Sequence, residues 1–124
     1  MINNSFFRKI FSISFLAFFV LLAGCNKSEF KQLKQKGLKA ETPQEQIECF
    51  TAALNCWTEA DGVKEKAAVC TKRANAYSEM GHYDVAIGDY NRAVELDPNN
   101  SEAMNKRANA MTAKDRAYDV QAQQ

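Results

Sequence analysis

Apolar residues follow two different rhythms along this chain. From Ile10 to Leu22 the sequence is almost continuously apolar over thirteen residues, IFSISFLAFFVLL, and Arg8 and Lys9 stand just before it. A helix that crosses a bilayer needs ~20 such residues, whereas the apolar part of a secretory leader needs about 7–15. The first rhythm therefore predicts a targeting segment. Beyond residue 42 the apolar positions recur every three or four residues: Ile47, Phe50, Leu54 and Trp57, then Tyr83, Ile87, Tyr90 and Val94, then Met104, Ala108 and Met111. Each set lies along one face of a helix.

Turn chemistry bounds these helices. Thr42-Pro43-Gln44-Glu45 reads as a capping box with proline in the first turn. Asp61-Gly62 breaks the chain after the first of the three helices, within an insertion NCWTEADGVKEK that stands where a short turn would do. Gly81 supplies a left-handed C′ residue, Pro98 stops the next helix, and Asn99 followed by Glu102 signals another N-terminus. The helix from Ser101 is expected to run to Met111 with Met104, Ala108 and Met111 facing inward, and the polar remainder AKDRAYDVQAQQ loses the pattern. Between Cys25 and Thr42 the stretch NKSEFKQLKQKGLKAE carries Lys27, Lys31, Lys34, Lys36 and Lys39 but only Phe30, Leu33 and Leu38 as a weak stripe. Gly37 costs a helix roughly 1 kcal/mol relative to Ala. Residues 25–41 thus read as a basic tether or weak helix, able to meet lipid headgroups, ahead of a helical part at 42–124.

The chain also repeats itself. KRANA occurs at 72–76 and again at 106–110, an offset of 34, and IECFTAAL from Ile47 is echoed by IGDYNRAV from Ile87, an offset of 40. Periods of this length mark stacked architectures. Residues 67–100, AAVCTKRANAYSEMGHYDVAIGDYNRAVELDPNN, resemble a tetratricopeptide repeat, with Ala74, Tyr77, Gly81, Tyr83, Ala86, Tyr90, Ala93, Leu96 and Pro98 at that family's small, aromatic and turn positions. Cys70 stands in place of the usual aromatic and Arg73 in place of the usual leucine. The resemblance implies an all-α fold, a short solenoid of antiparallel helix hairpins with about five helices, one repeat complete and two incomplete.

At the end of the apolar segment stands Leu22-Ala23-Gly24-Cys25, which resembles the lipobox of bacterial lipoproteins. That resemblance implies a leader at 1–24, cleavage before Cys25, and acylation of Cys25, whose fatty chains at about 0.8 kcal/mol per buried methylene would hold the protein to a membrane. It also implies a place in the cell envelope. Asn26, where an aspartate would signal retention at the inner membrane, favours the outer membrane and a position facing the periplasm.

Composition narrows the function. Sixteen basic residues less Arg8 and Lys9 leave fourteen against fifteen acidic ones, a formal charge of −1 for a mature chain of 100 residues. No basic excess argues for nucleic acid. Cys49, Cys56 and Cys70 remain once Cys25 is acylated. Cys49 and Cys56 are ~10.5 Å apart along one helix and beyond bridging range, while Cys56 and Cys70 can meet across the turn or stay as two small buried thiols. His82 is the lone histidine, in a turn. No CxxC pair, glycine-rich phosphate loop or G-x-S-x-G elbow is present, so neither catalysis nor a cofactor or metal is expected.

What remains is protein binding. Lys72 and Asn75 share a helix face and recur as Lys106 and Asn109. They either offer donors to an extended acidic or C-terminal segment of a partner, or are inherited repeat sequence. The expected function is a membrane-anchored adaptor for a protein or peptide. The second is a structural lipoprotein that completes its short stack on an identical chain or within an envelope complex.

Overall fold

The computed structural model describes residues 27–123, so the apolar segment and Cys25 lie outside the described residues. Five α-helices follow one another: α1 (Lys27–Lys39), α2 (Pro43–Asn55), α3 (Val63–Glu79), α4 (Tyr83–Leu96) and α5 (Ser101–Ala122), with a 3-10 turn at Glu59–Asp61 and no strand among the described residues. Each packs against the next, and α3 also touches α5. This is an all-α, short repeat stack.

The turns form as their residues dictate. The Thr42 hydroxyl accepts from the Glu45 N–H at 3.2 Å, with Pro43 at the first helical position. Gly81 has φ 76°, and the N–H groups of His82 and Gly81 donate to the carbonyls of Tyr77 (2.9 Å) and Ser78 (3.0 Å), the Schellman closure of α3. In the insertion, Asp61 Oδ2 accepts from both the N–H and the hydroxyl of Thr58, each at 2.9 Å. Gly62 turns the chain at φ 92°, and Trp57 Nε1 donates to its carbonyl at 3.1 Å. Lys66 lies 3.9 Å over the Trp57 ring. The insertion is an ordered corner. The cap of α5 is Asn100, one residue later than expected, whose Oδ1 accepts from the Ala103 N–H at 3.0 Å.

Two apolar clusters share α3 as their common wall. One joins Phe30, Leu33, Phe50, Ala53, Cys56 and Val69; the other joins Cys70, Ala74, Ala86, Tyr90, Ala93, Ala103 and Ala110, with Tyr77, Tyr83, Ile87 and Val94 packed against it. The echo at offset 40 is visible in both, since Phe50 and Tyr90 are buried and Ala53 and Ala93 fully so. Fully burying a side chain of this size stabilises by about 1.5–3 kcal/mol.

Two expectations are corrected and one open alternative is decided. Of tether and helix, the basic segment is a helix, because Phe30 and Leu33 bury against α2 and Gly37 lets the Phe50 ring approach; a Cβ on Gly37 would stand 2.6 Å from that ring. The last helix continues past Met111 to Ala122, and its inward residues are Ala103 and Ala110, while Met104, Ala108 and Met111 are exposed. These three carry the core pattern of α3, but no further helix among the described residues covers them. The bridge between Cys56 and Cys70 does not form, because Cys70 is a free, buried thiol. Its neighbour Val69 faces the cluster that holds Cys56, so Cys70, one residue further round α3, faces the other.

Candidate protein-docking face

The face shared by α3 and α5 carries the repeated Lys and Asn residues, and Asn100 sets its geometry. While its Oδ1 caps α5, its Nδ2 donates to Thr71 Oγ1 at 3.1 Å, and the Thr71 hydroxyl donates to the Ala67 carbonyl at 2.9 Å. The start of α5 is thereby tied to α3. Glu102, in the first turn of α5, then meets Lys72 and Asn75: Lys72 Nζ donates to its two oxygens at 2.9 and 3.2 Å, and Asn75 Nδ2 to Oε1 at 3.1 Å. Asn75 Oδ1 in turn accepts from the Tyr90 hydroxyl at 2.7 Å.

The electrostatics follow from these contacts. The Lys72 hydrogen bond holds the Glu102 carboxyl below its ordinary value against partial burial, and Asn75 adds to the effect. Burial pushes the Tyr90 phenol up to about 12, with Glu102 and Glu79 acting in the same direction. An open cleft of about 210 Å³ beside this network is lined by Asn75, Ser78, Glu79, Tyr90 and Lys106.

The four repeated residues therefore divide into two pairs. Lys72 and Asn75 are half-buried and already hold Glu102. Lys106 and Asn109 are exposed and form no hydrogen bond or ion pair with the described residues. The four do not make one continuous row of donors for an extended peptide.

Another polar network could not be read from the pattern. Arg73 Nε and Nη2 donate to the two oxygens of Asp89 at 2.6 and 2.7 Å, and Nη1 donates to Thr51 Oγ1 at 3.1 Å. Asp89 is only 7% exposed. The hydrogen bond to Asp89 raises the Arg73 pKa against the opposing effect of burial. Arg73 thus joins α2, α3 and α4 in place of a packed leucine. The one sequence signal for it is an arginine at the family's leucine position. Cys49 and Cys70 have thiol pKa values raised chiefly by burial, which opposes a nucleophilic thiolate. Among the described residues no three or more of His, Cys, Asp or Glu are grouped to hold a metal, and no helix is long and apolar enough to cross a membrane.

Residues 67–100 match the family model described as tetratricopeptide repeat, on the stretch that forms the α3–α4 hairpin. This stretch is a tetratricopeptide repeat. The chain matches no curated protein and no solved structure. Tetratricopeptide repeats are typically interaction modules without catalytic machinery, and they commonly bind protein partners. In this chain the repeat buries Ala74, Ala86, Tyr90 and Ala93 between its two helices, and its first helix presents Lys72 and Asn75 to α5.

Proposed function

We propose that this chain is a lipid-anchored adaptor of the bacterial envelope, held to the membrane through Cys25 and presenting the α3–α5 side of its stack to a protein partner. The observation that carries the reading is that Lys106 and Asn109 are exposed and form no hydrogen bond or ion pair with the described residues, on a helix whose repeat counterparts, Lys72 and Asn75, are engaged. The anchor rests on Leu22-Ala23-Gly24-Cys25 behind a short apolar segment, and the outer-membrane, periplasm-facing placement on Asn26. In this arrangement residues 1–24 are removed, 25–41 join the anchor to the body, and 42–124 form the repeat unit.

Two measurements test this. Intact mass of the protein extracted from membranes should show loss of residues 1–24 and gain of fatty-acyl groups, both abolished by Cys25→Ser; an unmodified Cys25 would end the anchor. Photo-crosslinking from position 109 in intact envelopes should give one specific adduct with another protein.

A second reading, the structural subunit, is favoured by the exposed Met104, Met111, Tyr118 and Val120 of α5. Size measurement of the form lacking residues 1–25 separates the two. A monomer at all concentrations supports the adaptor, and a concentration-dependent dimer supports self-association.

A further inference from the structure

The open side of α5 repeats, position for position at offset 34, the side of α3 that is covered, with Lys, Ala and Asn identical and Met104 and Met111 in place of Cys70 and Tyr77. On α3, Cys70, Ala74 and Tyr77 pack in the cluster that includes Ala86, Tyr90 and Ala93 of α4, while Lys72 and Asn75 hold the first-turn carboxylate of α5. Their counterparts on α5 are Met104, Ala108 and Met111 for the apolar stripe and Lys106 and Asn109 for the donor pair, all of them exposed. A similar ion pair joins Lys34 of α1 to Glu65 in the first turn of α3, so a lysine reaching the opening acid of a following helix occurs twice in the stack.

We propose that Lys106 and Asn109 form a receptor for the first-turn glutamate of a partner helix, and that Met104, Ala108 and Met111 receive the helix preceding it in a hairpin of another protein. The inference rests on the adaptor reading and specifies its partner. That partner carries a small residue and an aromatic ring at the spacing of Ala86 and Tyr90 on one helix. Its second helix opens with an amide or hydroxyl cap and a glutamate within one turn, as Asn100 and Glu102 do here. A second copy of this chain fits less well, because Glu65 and Glu102 are both already paired within their own chain. The ammonium and amide supply register and selectivity, and the apolar stripe supplies affinity.

The test uses a synthetic helix-pair peptide with the sequence of residues 83–113, which contains α4, the cap Asn100 and Glu102, titrated into the purified full chain and followed by NMR. Saturable binding is expected, with the Asn109 side-chain amide among the shifted resonances. Lys106→Glu should weaken it by up to about fivefold, the size an exposed ion pair of up to about 1 kcal/mol produces. Glu102→Lys in the peptide should restore binding to that variant. No binding, equal affinity for the wild-type chain and Lys106→Glu, or an α5–α5 dimer of the free protein that excludes the peptide would overturn the proposal. An absent adduct in the envelope cross-linking removes the adaptor role while leaving this titration to decide the receptor. A titration blind to Lys106 removes the receptor and leaves the adaptor on its own evidence.

Discussion

Gly37 and Arg73 show how single positions govern the packing. Alanine at position 37 improves intrinsic helix propensity by roughly 1 kcal/mol, yet its Cβ would sit 2.6 Å from the Phe50 ring. Overpacking of this kind costs about 1–3 kcal/mol, so Gly37→Ala is expected to destabilise the chain in denaturant unfolding. At the second position, Asp89→Ala leaves the half-buried Arg73 guanidinium without its carboxylate, and a loss of about 3 kcal/mol is expected. The double substitution Arg73→Leu with Asp89→Leu should recover most of that loss. Both effects were hidden in the sequence for the same reason. Periodicity says which face of a helix is apolar, but not which ring a glycine must admit or which acid lies opposite an arginine sixteen residues away. Tyr90 and Gly81 were legible from spacing and turn chemistry, and Ala74 and Tyr77 from the repeat pattern they match.

At the scale of the helix, the attachment of α5 responds to pH. The folded-state pKa of Glu102 lies below its ordinary value of 4.5, so its pairing with Lys72 and Asn75 stabilises fully above that value and is lost as pH falls through the lower folded value. Acid titration followed by the NMR signals of α5 should show its first turns loosening in that window. Glu102→Gln should remove this step from the titration. The contacts of α5 explain why its reading from sequence went astray. Met104, Ala108 and Met111 copy the core positions of α3, and the copy was read as inward-facing, but burial requires a covering helix as well as a pattern. Ala103 and Ala110 are the residues that meet α4 and α3, and as alanines they contribute little to a hydrophobic stripe. At α1 the lysines left tether and helix both open in the sequence, and the burial of Phe30 and Leu33 decides for the helix.

Across the whole molecule, the described residues form two clusters joined through α3, with α1 at one end of the series and α5 at the other. Such stacks gain stability from each interface with a neighbour rather than from one central core. The 34-residue period and the family pattern disclosed this architecture. The division of the repeated Lys and Asn residues into an engaged and an open pair emerged only from the contacts of Glu102. Capacity for a further helix pair is the property on which the proposed adaptor role depends. Met111→Lys on the open stripe should therefore leave thermal stability within about 0.5 kcal/mol while reducing capture of the residue 83–113 peptide.

Helices α1 to α5 pack successively as one stack. The sharpest check on this packing is amide hydrogen exchange resolved along the purified chain. Helices α1 and α2 are expected to be protected together with α3 and α4, with exchange quickening along α5 beyond Met111. Coil-like exchange throughout α1 and α2, with protection confined to residues 67–100, would contradict it.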